Sequence, residues 1–176
     1  MGRDKALLRW GETTLLDHAV ERLRACCRTV RILSGPERRY HDRGIPVDVD
    51  LSPGLGPLGG VVTGLSWLED PLGLFLAVDL PRVPVALLER LLDLSSGYDA
   101  VVPVWAGRAE PLCAVYGRSC LPAIRRRLQA GDLKMTGFWP EVRVRRVLED
   151  ELRDLGDPAT MFHNVNQPSD LTSRPN

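Results

Sequence analysis

The sequence is short of the residues that build most covalent and metal chemistry. Only three histidines and four cysteines occur among 176 residues. His18, His41 and His163 show no shared spacing that would make a metal site, and Cys26, Cys27, Cys113 and Cys120 contain no CxxC pair. Adjacent Cys26 and Cys27 are poor partners for each other and sit in a helical pattern, so they read as small core residues. No Ser or Cys nucleophile constellation is visible. Net charge is lacking too: 23 basic residues balance 23 acidic ones. No whole-molecule field therefore points to nucleic acid or an anionic membrane. No apolar run is long enough to span a bilayer, and the first residues are charged rather than signal-like. A reducing cytoplasm is the expected setting.

What is present is an ordinary globular composition, 44% hydrophobic and 26% charged, in a length that suits one domain, 1–176. Two periodicities alternate along it. Helical spacing covers 15–27, 57–68, 84–94 and 121–130; short β-branched or apolar runs cover 29–33, 47–50, 74–78, 100–104, 112–116, 142–147 and 161–165. No repeat, low-complexity tract or linker divides the chain. Alternating strands and helices predict an α/β fold, Rossmann-like and doubly wound, with a mostly parallel sheet. The turn Ala106-Gly107-Arg108 adds a late antiparallel hairpin. The chain opens in a loop, whereas such sheets normally begin with a central strand.

Asp79 is the most informative single residue. It closes the run Leu74-Phe75-Leu76-Ala77-Val78, which reads as a strand buried on both faces, and Pro81 prevents simple continuation. Ligands of open α/β sheets sit outside the carboxyl ends of the strands. A carboxylate there is well placed for a divalent cation; it could equally initiate a turn.

Five segments in order carry a family resemblance. Met1-Gly2-Arg3-Asp4-Lys5-Ala6-Leu7-Leu8 resembles the second half of the signature LAGGxSxRMGxDKALL. Gly56-Pro57-Leu58-Gly59-Gly60 is similar to GPLAG, Val78-Asp79-Leu80-Pro81 to CDMP, and Glu110-Pro111-Leu112-Cys113-Ala114-Val115-Tyr116 to HPLCAVY. The stretch from Phe162 to Leu171 looks like FxNxNTPEDL. Over its whole length the chain resembles the molybdenum cofactor guanylyltransferases, the MobA family. The LAGGxSxR half, which cradles phosphates in that family, does not precede Met1, so the resemblance implies a chain that begins inside its catalytic loop. Gln167 stands for the usual Thr and Glu110 for the usual His.

The resemblance implies Mg²⁺-dependent transfer of GMP from GTP to molybdenum-molybdopterin, with molybdoenzymes or chaperones as acceptors of the product. Catalysis then falls to Lys5, as a point charge on the triphosphate, and to Asp79, as the metal ligand. GTP binding falls to Lys5, Ser34, Asp50, Gly56, Pro57, Leu58 and Asp79. Asn164 and Asn166, two apart on an extended segment, present two amides on one face for the pterin, with Lys134 for its phosphate. Each residue has a plainer reading. Lys5 can be a solvated loop lysine, Asp50 can cap a turn, Gly56 can open a tight loop before a helix, and the Asn pair can end a strand. Cytidylyl transfer to molybdopterin, sugar-1-phosphate nucleotidyl transfer and a non-catalytic nucleotide-binding module remain the alternatives. A receiver-type signalling domain would want an acidic pair after an early strand and a Lys after a later one, and this sequence offers neither in order.

Overall fold

The computed structural model describes residues 4–51, 54–166 and 170. Asp4 caps a 3-10 turn, Lys5–Leu7, its carboxylate accepting from the Ala6 N–H. A short hairpin that the sequence did not announce follows, β1 (Arg9–Trp10) against β2 (Thr13–Thr14). Thr14 then starts α1 (Leu15–Cys26) by accepting from the Asp17 N–H, a Ser/Thr-type cap. Next come β3 (Ile32–Leu33), β4 (Val47–Asp48), α2 (Gly56–Trp67), β5 (Leu72–Leu76) and α3 (Val85–Asp93). The chain continues through β6 (Ala100–Trp105), β7 (Arg108–Ala109), β8 (Cys113–Gly117), α4 (Leu121–Gln129), β9 (Val144–Val147) and α5 (Pro158–Met161).

Strand β8 lies antiparallel between β5 and β6, and β9 pairs parallel on the far side of β6. Two antiparallel steps restore the direction, so β5, β6 and β9 all point one way. The hairpin partner β7 extends β6 at its end. Strands β3 and β4 form a separate parallel pair. Alternation along β8 shows both faces covered. Ala114 and Tyr116 pack with Leu58, Leu65 and Ile124 of α2 and α4, while Cys113 and Val115 pack with Leu87, Leu88 and Leu91 of α3. All of these are fully buried, each large side chain contributing about 1.5–3 kcal/mol of burial. Helices on both faces of a mainly one-directional sheet are the expected doubly wound arrangement.

Two expectations change. The run before Asp79 is half-buried rather than buried on both faces, and β5 ends at Leu76. The reason is that β8 covers only one of its edges. Residues 161–165 are not a strand: Asp157 caps α5 through the Ala159 and Thr160 N–H groups, with Pro158 at the first helical position. The chain after it is held by one backbone bond, Val165 N–H to the Asp79 carbonyl at 2.9 Å.

Candidate active site

The strands converge on the amino-terminal turn. Beyond β3, the Ser34 carbonyl accepts from Arg39, and Arg39 and Tyr40 both donate to the Asp4 carboxylate at 3.2 and 2.7 Å. Beyond β5, Asp79 pairs with Lys5, Nζ to Oδ2 at 3.8 Å. Neighbouring residues 4 and 5 thus touch the segments following both strands, which places the carboxyl ends of β3 and β5 together. Ala6 packs between Ile32 and Val78 and fixes the turn there.

Lys5 also donates to Asn166 Oδ1 at 2.5 Å. The expected nucleotide and pterin residues therefore meet, although they stand 161 positions apart. Buried Val165 is the anchor, and Asn164 and Asn166 flank it, both exposed. Asp79, a quarter exposed, sits on the turn that begins as Ala77 donates to Leu112 and Leu80 donates to Ala77.

Glu110 extends the acidic side of the cluster. Its Oε1 accepts from Trp105 Nε1 at 2.9 Å across the β6–β7 hairpin, and Trp105 stacks on Phe162 with centroids 6.2 Å apart. Burial pushes the Glu110 carboxyl upward; the Trp105 hydrogen bond opposes this, and the nearby charge of Asp79 adds to it. Its departure from the family's His was visible in the sequence. Its pairing with Trp105 was not singled out, although two residues flanking a tight hairpin are a recognisable cross-strand signal.

The remaining candidates gather elsewhere. Gly56, at φ +59°, opens α2 in a conformation that favours glycine, and Pro57 follows at the first turn. Leu58 is buried in the core, so only its backbone can face a ligand. Asp50 lies alongside: a Cβ on Gly60 would approach its Oδ1 to 3.9 Å, and burial raises its carboxyl. Ser34 is buried and its hydroxyl donates to the Glu37 carbonyl at 2.6 Å, so it shapes the loop after β3. Lys134 is exposed on the turn after α4, where its N–H donates to Asp132, and it shares no described contact with Lys5 or Asn166. Gln167 and the motif residues Met1 to Arg3 lie outside the described residues.

The model of the MobA-like NTP transferase domain matches residues 1–150. The chain belongs to that family. A relative named probable molybdenum cofactor guanylyltransferase, from Pelotomaculum thermopropionicum, is 37% identical over 97% of this chain and 83% of its own. The fold is shared with molybdopterin-guanine dinucleotide biosynthesis protein A from Archaeoglobus fulgidus, at TM-score 0.80 and 22% identity over 97% and 88% of the two chains. It is shared also with 2-C-methyl-D-erythritol 4-phosphate cytidylyltransferase from Thermus thermophilus, at TM-score 0.70 and 22% identity over 96% and 90%. A member of this family is a nucleotidyltransferase.

A divalent metal at Asp79 fits the donor set. Among the described residues no group of three or more His, Cys, Asp or Glu could hold a metal ion. A hard cation that keeps several waters and takes the rest of its oxygens from substrate phosphates suits one or two carboxylates.

Proposed function

We propose that this chain, a single nucleotidyltransferase domain, transfers GMP from GTP to the phosphate of molybdenum-molybdopterin and releases pyrophosphate. The observation that carries this reading is the cluster of Lys5, Asp79 and Asn166, which joins a phosphate-binding cation, a metal-binding carboxylate and an amide for the acceptor. The 37% identity to a relative of that name supports the same substrates.

The guanine lies at the start of α2, where Gly56 allows close approach and the backbone of Pro57 and Leu58 lines the edge, with Asp50 beside it. The triphosphate reaches the strand ends, where Lys5 neutralises charge that grows on the leaving pyrophosphate. A pterin phosphate oxygen attacks the α-phosphorus in line as the bond to the β-phosphate oxygen breaks. Asn166 and Asn164 hold the pterin's heteroatoms, since each amide donates and accepts; Lys134 serves its phosphate. Asp79 would hold Mg²⁺, which would supply charge neutralisation and alignment. The free cysteines Cys26, Cys27, Cys113 and Cys120 support a reducing, cytoplasmic setting, and no helix among the described residues is long and apolar enough to cross a membrane. The product passes to molybdoenzymes or their chaperones.

The test is pyrophosphate release from each nucleoside triphosphate in the presence of molybdopterin and Mg²⁺. GTP is expected to support turnover at least about a hundredfold faster than the others. Preference for CTP, or release that ignores molybdopterin, would overturn the assignment.

A further inference from the structure

Glu110 carries more acceptor capacity than the hairpin uses. A carboxylate has about four acceptor positions. Among the described residues only one donor occupies them, Trp105 Nε1 at 2.9 Å. The group is half-buried and within range of the Asp79 charge, so its open positions lie beside the strand-end site. Open acceptors on a half-buried carboxylate call for a ligand that brings donors.

Three observations narrow that ligand. The indole bond, together with the bond from the Glu110 N–H to the Pro103 carbonyl at 2.9 Å, ties Glu110 to the hairpin and makes its carboxylate a fixed two-oxygen edge. Trp105 is half-buried and stacks on buried Phe162 at an interplanar angle of 19°. The edge is therefore bordered by a flat aromatic surface, which suits a planar ring. Phe162 stands two residues before Asn164, on the segment whose Val165 N–H binds the Asp79 carbonyl. Carboxylate, aromatic wall and amides thus form one connected unit, built from the β6–β7 hairpin and the chain after α5.

We propose that Glu110 reads the 2-amino-4-oxo pyrimidine edge of the pterin, one oxygen accepting from N3–H and the other from the 2-amino group. This specificity role rests on the reaction proposed above and deepens it: the acceptor is selected as a pterin and not only as a phosphate. An ionised carboxylate only accepts, so it matches two adjacent donors. A lumazine carries a carbonyl in place of the 2-amino group and sets an oxygen against the carboxylate, leaving both unpaired. The histidine of the HPLCAVY motif cannot accept at two positions at once, so this reading belongs to the residue that the present chain carries.

The probes are 6-hydroxymethylpterin phosphate and the matching lumazine phosphate, titrated with Mg²⁺ and an α,β-methylene analogue of GTP present. The parent should bind the pterin at least about tenfold more tightly. Glu110→Gln keeps an acceptor for Trp105 but replaces one ligand acceptor by a donor, and should bring the preference to unity or reverse it towards the lumazine. Should that variant melt early, Glu110→His takes its place and should also lose the preference. Equal binding of the two probes by the parent, no binding of either, or a preference that survives both substitutions would overturn the proposal. Guanine has the same pair of donors, so GTP is titrated as well. Its affinity should stay within about twofold in Glu110→Gln, and a loss as large as that for the pterin would assign Glu110 to the nucleotide and overturn the proposal. Mn²⁺ affinity, followed by electron paramagnetic resonance, should not change; a tenfold loss would make Glu110 a metal ligand instead. Turnover of molybdopterin by the parent, without discrimination between the probes, leaves the reaction standing and removes only this role. No turnover removes both.

Discussion

Lys5 and Lys134 are the only lysines in the chain, and the fold gives Lys5 alone an acidic partner at the strand ends. Lys5→Met should lower kcat about 10²–10³-fold with a small change in thermal midpoint, because it removes a charge aimed at the leaving group from an exposed site. Asp79→Asn keeps the volume but removes the metal-binding charge, and should abolish transfer while circular dichroism and melting stay parental; near-parental rates at saturating Mg²⁺ would refute it. Asn166→Ala and Asn164→Ala are each expected to weaken pterin binding more than GTP binding. Separate titrations of GTP and pterin check this. Glu110 adds a pH effect. Burial raises its folded pKa above the unfolded value, so the folded state holds this proton more tightly. Its ionisation therefore removes stability as pH rises from the ordinary carboxylate range through the raised value. Melting curves between about pH 4 and 7 should show Glu110→Gln gaining on the parent as pH increases; parallel curves would mean that Glu110 is solvated. The placement of Asp79 and Lys5 near the strand ends was legible in sequence because a carboxylate after a strand and a motif lysine are local signals. The Lys5–Asn166 contact was not, because nothing local records an approach across 161 positions.

At the scale of elements, caps and periodicity were the readable features. α1 begins at Thr14 and α2 at Gly56-Pro57, within a residue of the expected starts. The final segment was misread because an apolar run was weighed above Asp157-Pro158, a helix start whose cap bonds are present. The hairpin after β6 was legible from Ala106-Gly107, and its two turn residues sit at φ +46° and +73°. Glycine suits both positions of such a turn, whereas Ala106 is strained. Ala106→Gly should stabilise the protein by about 1 kcal/mol, or about 2–4 °C in thermal midpoint. It should leave the Trp105–Glu110 bond intact, which tryptophan fluorescence would follow. Gly64→Ala is the opposite case. Its new methyl would meet the Phe75 ring at 2.8 and 3.0 Å, a rigid neighbour, and should cost about 1–3 kcal/mol, read as a lower urea midpoint with unchanged m-value.

Across the whole molecule, the order of layers was legible, and the opening loop already hinted at a break in the sheet. Alternating helices and strands dictate helices on both faces, and the opening loop, with no strand before it, agrees with β3 and β5 standing apart. That gap has a consequence for handling. A molecule of zero formal net charge has little colloidal repulsion, and edge backbone groups invite pairing with other copies. Sedimentation of the chain should show association that grows with concentration and persists in about 1 M salt, where charge contacts are screened. Association that vanishes in salt would assign it to the surface ion pairs instead.

The bond between Lys5 and Asn166 also bears on the order in which substrates arrive. The Lys5 ammonium is shared between the neutral Asn166 amide and the Asp79 carboxylate, and an anionic polyphosphate draws it harder than the amide does once it enters. The nucleotide, arriving first, would pull Lys5 away and release the Asn166 amide for the pterin. The pterin, arriving first, would find that amide occupied. Ordered addition with the triphosphate leading follows, and product-inhibition patterns distinguish it from random entry. In Asn166→Ala the amide is missing and the order should be lost.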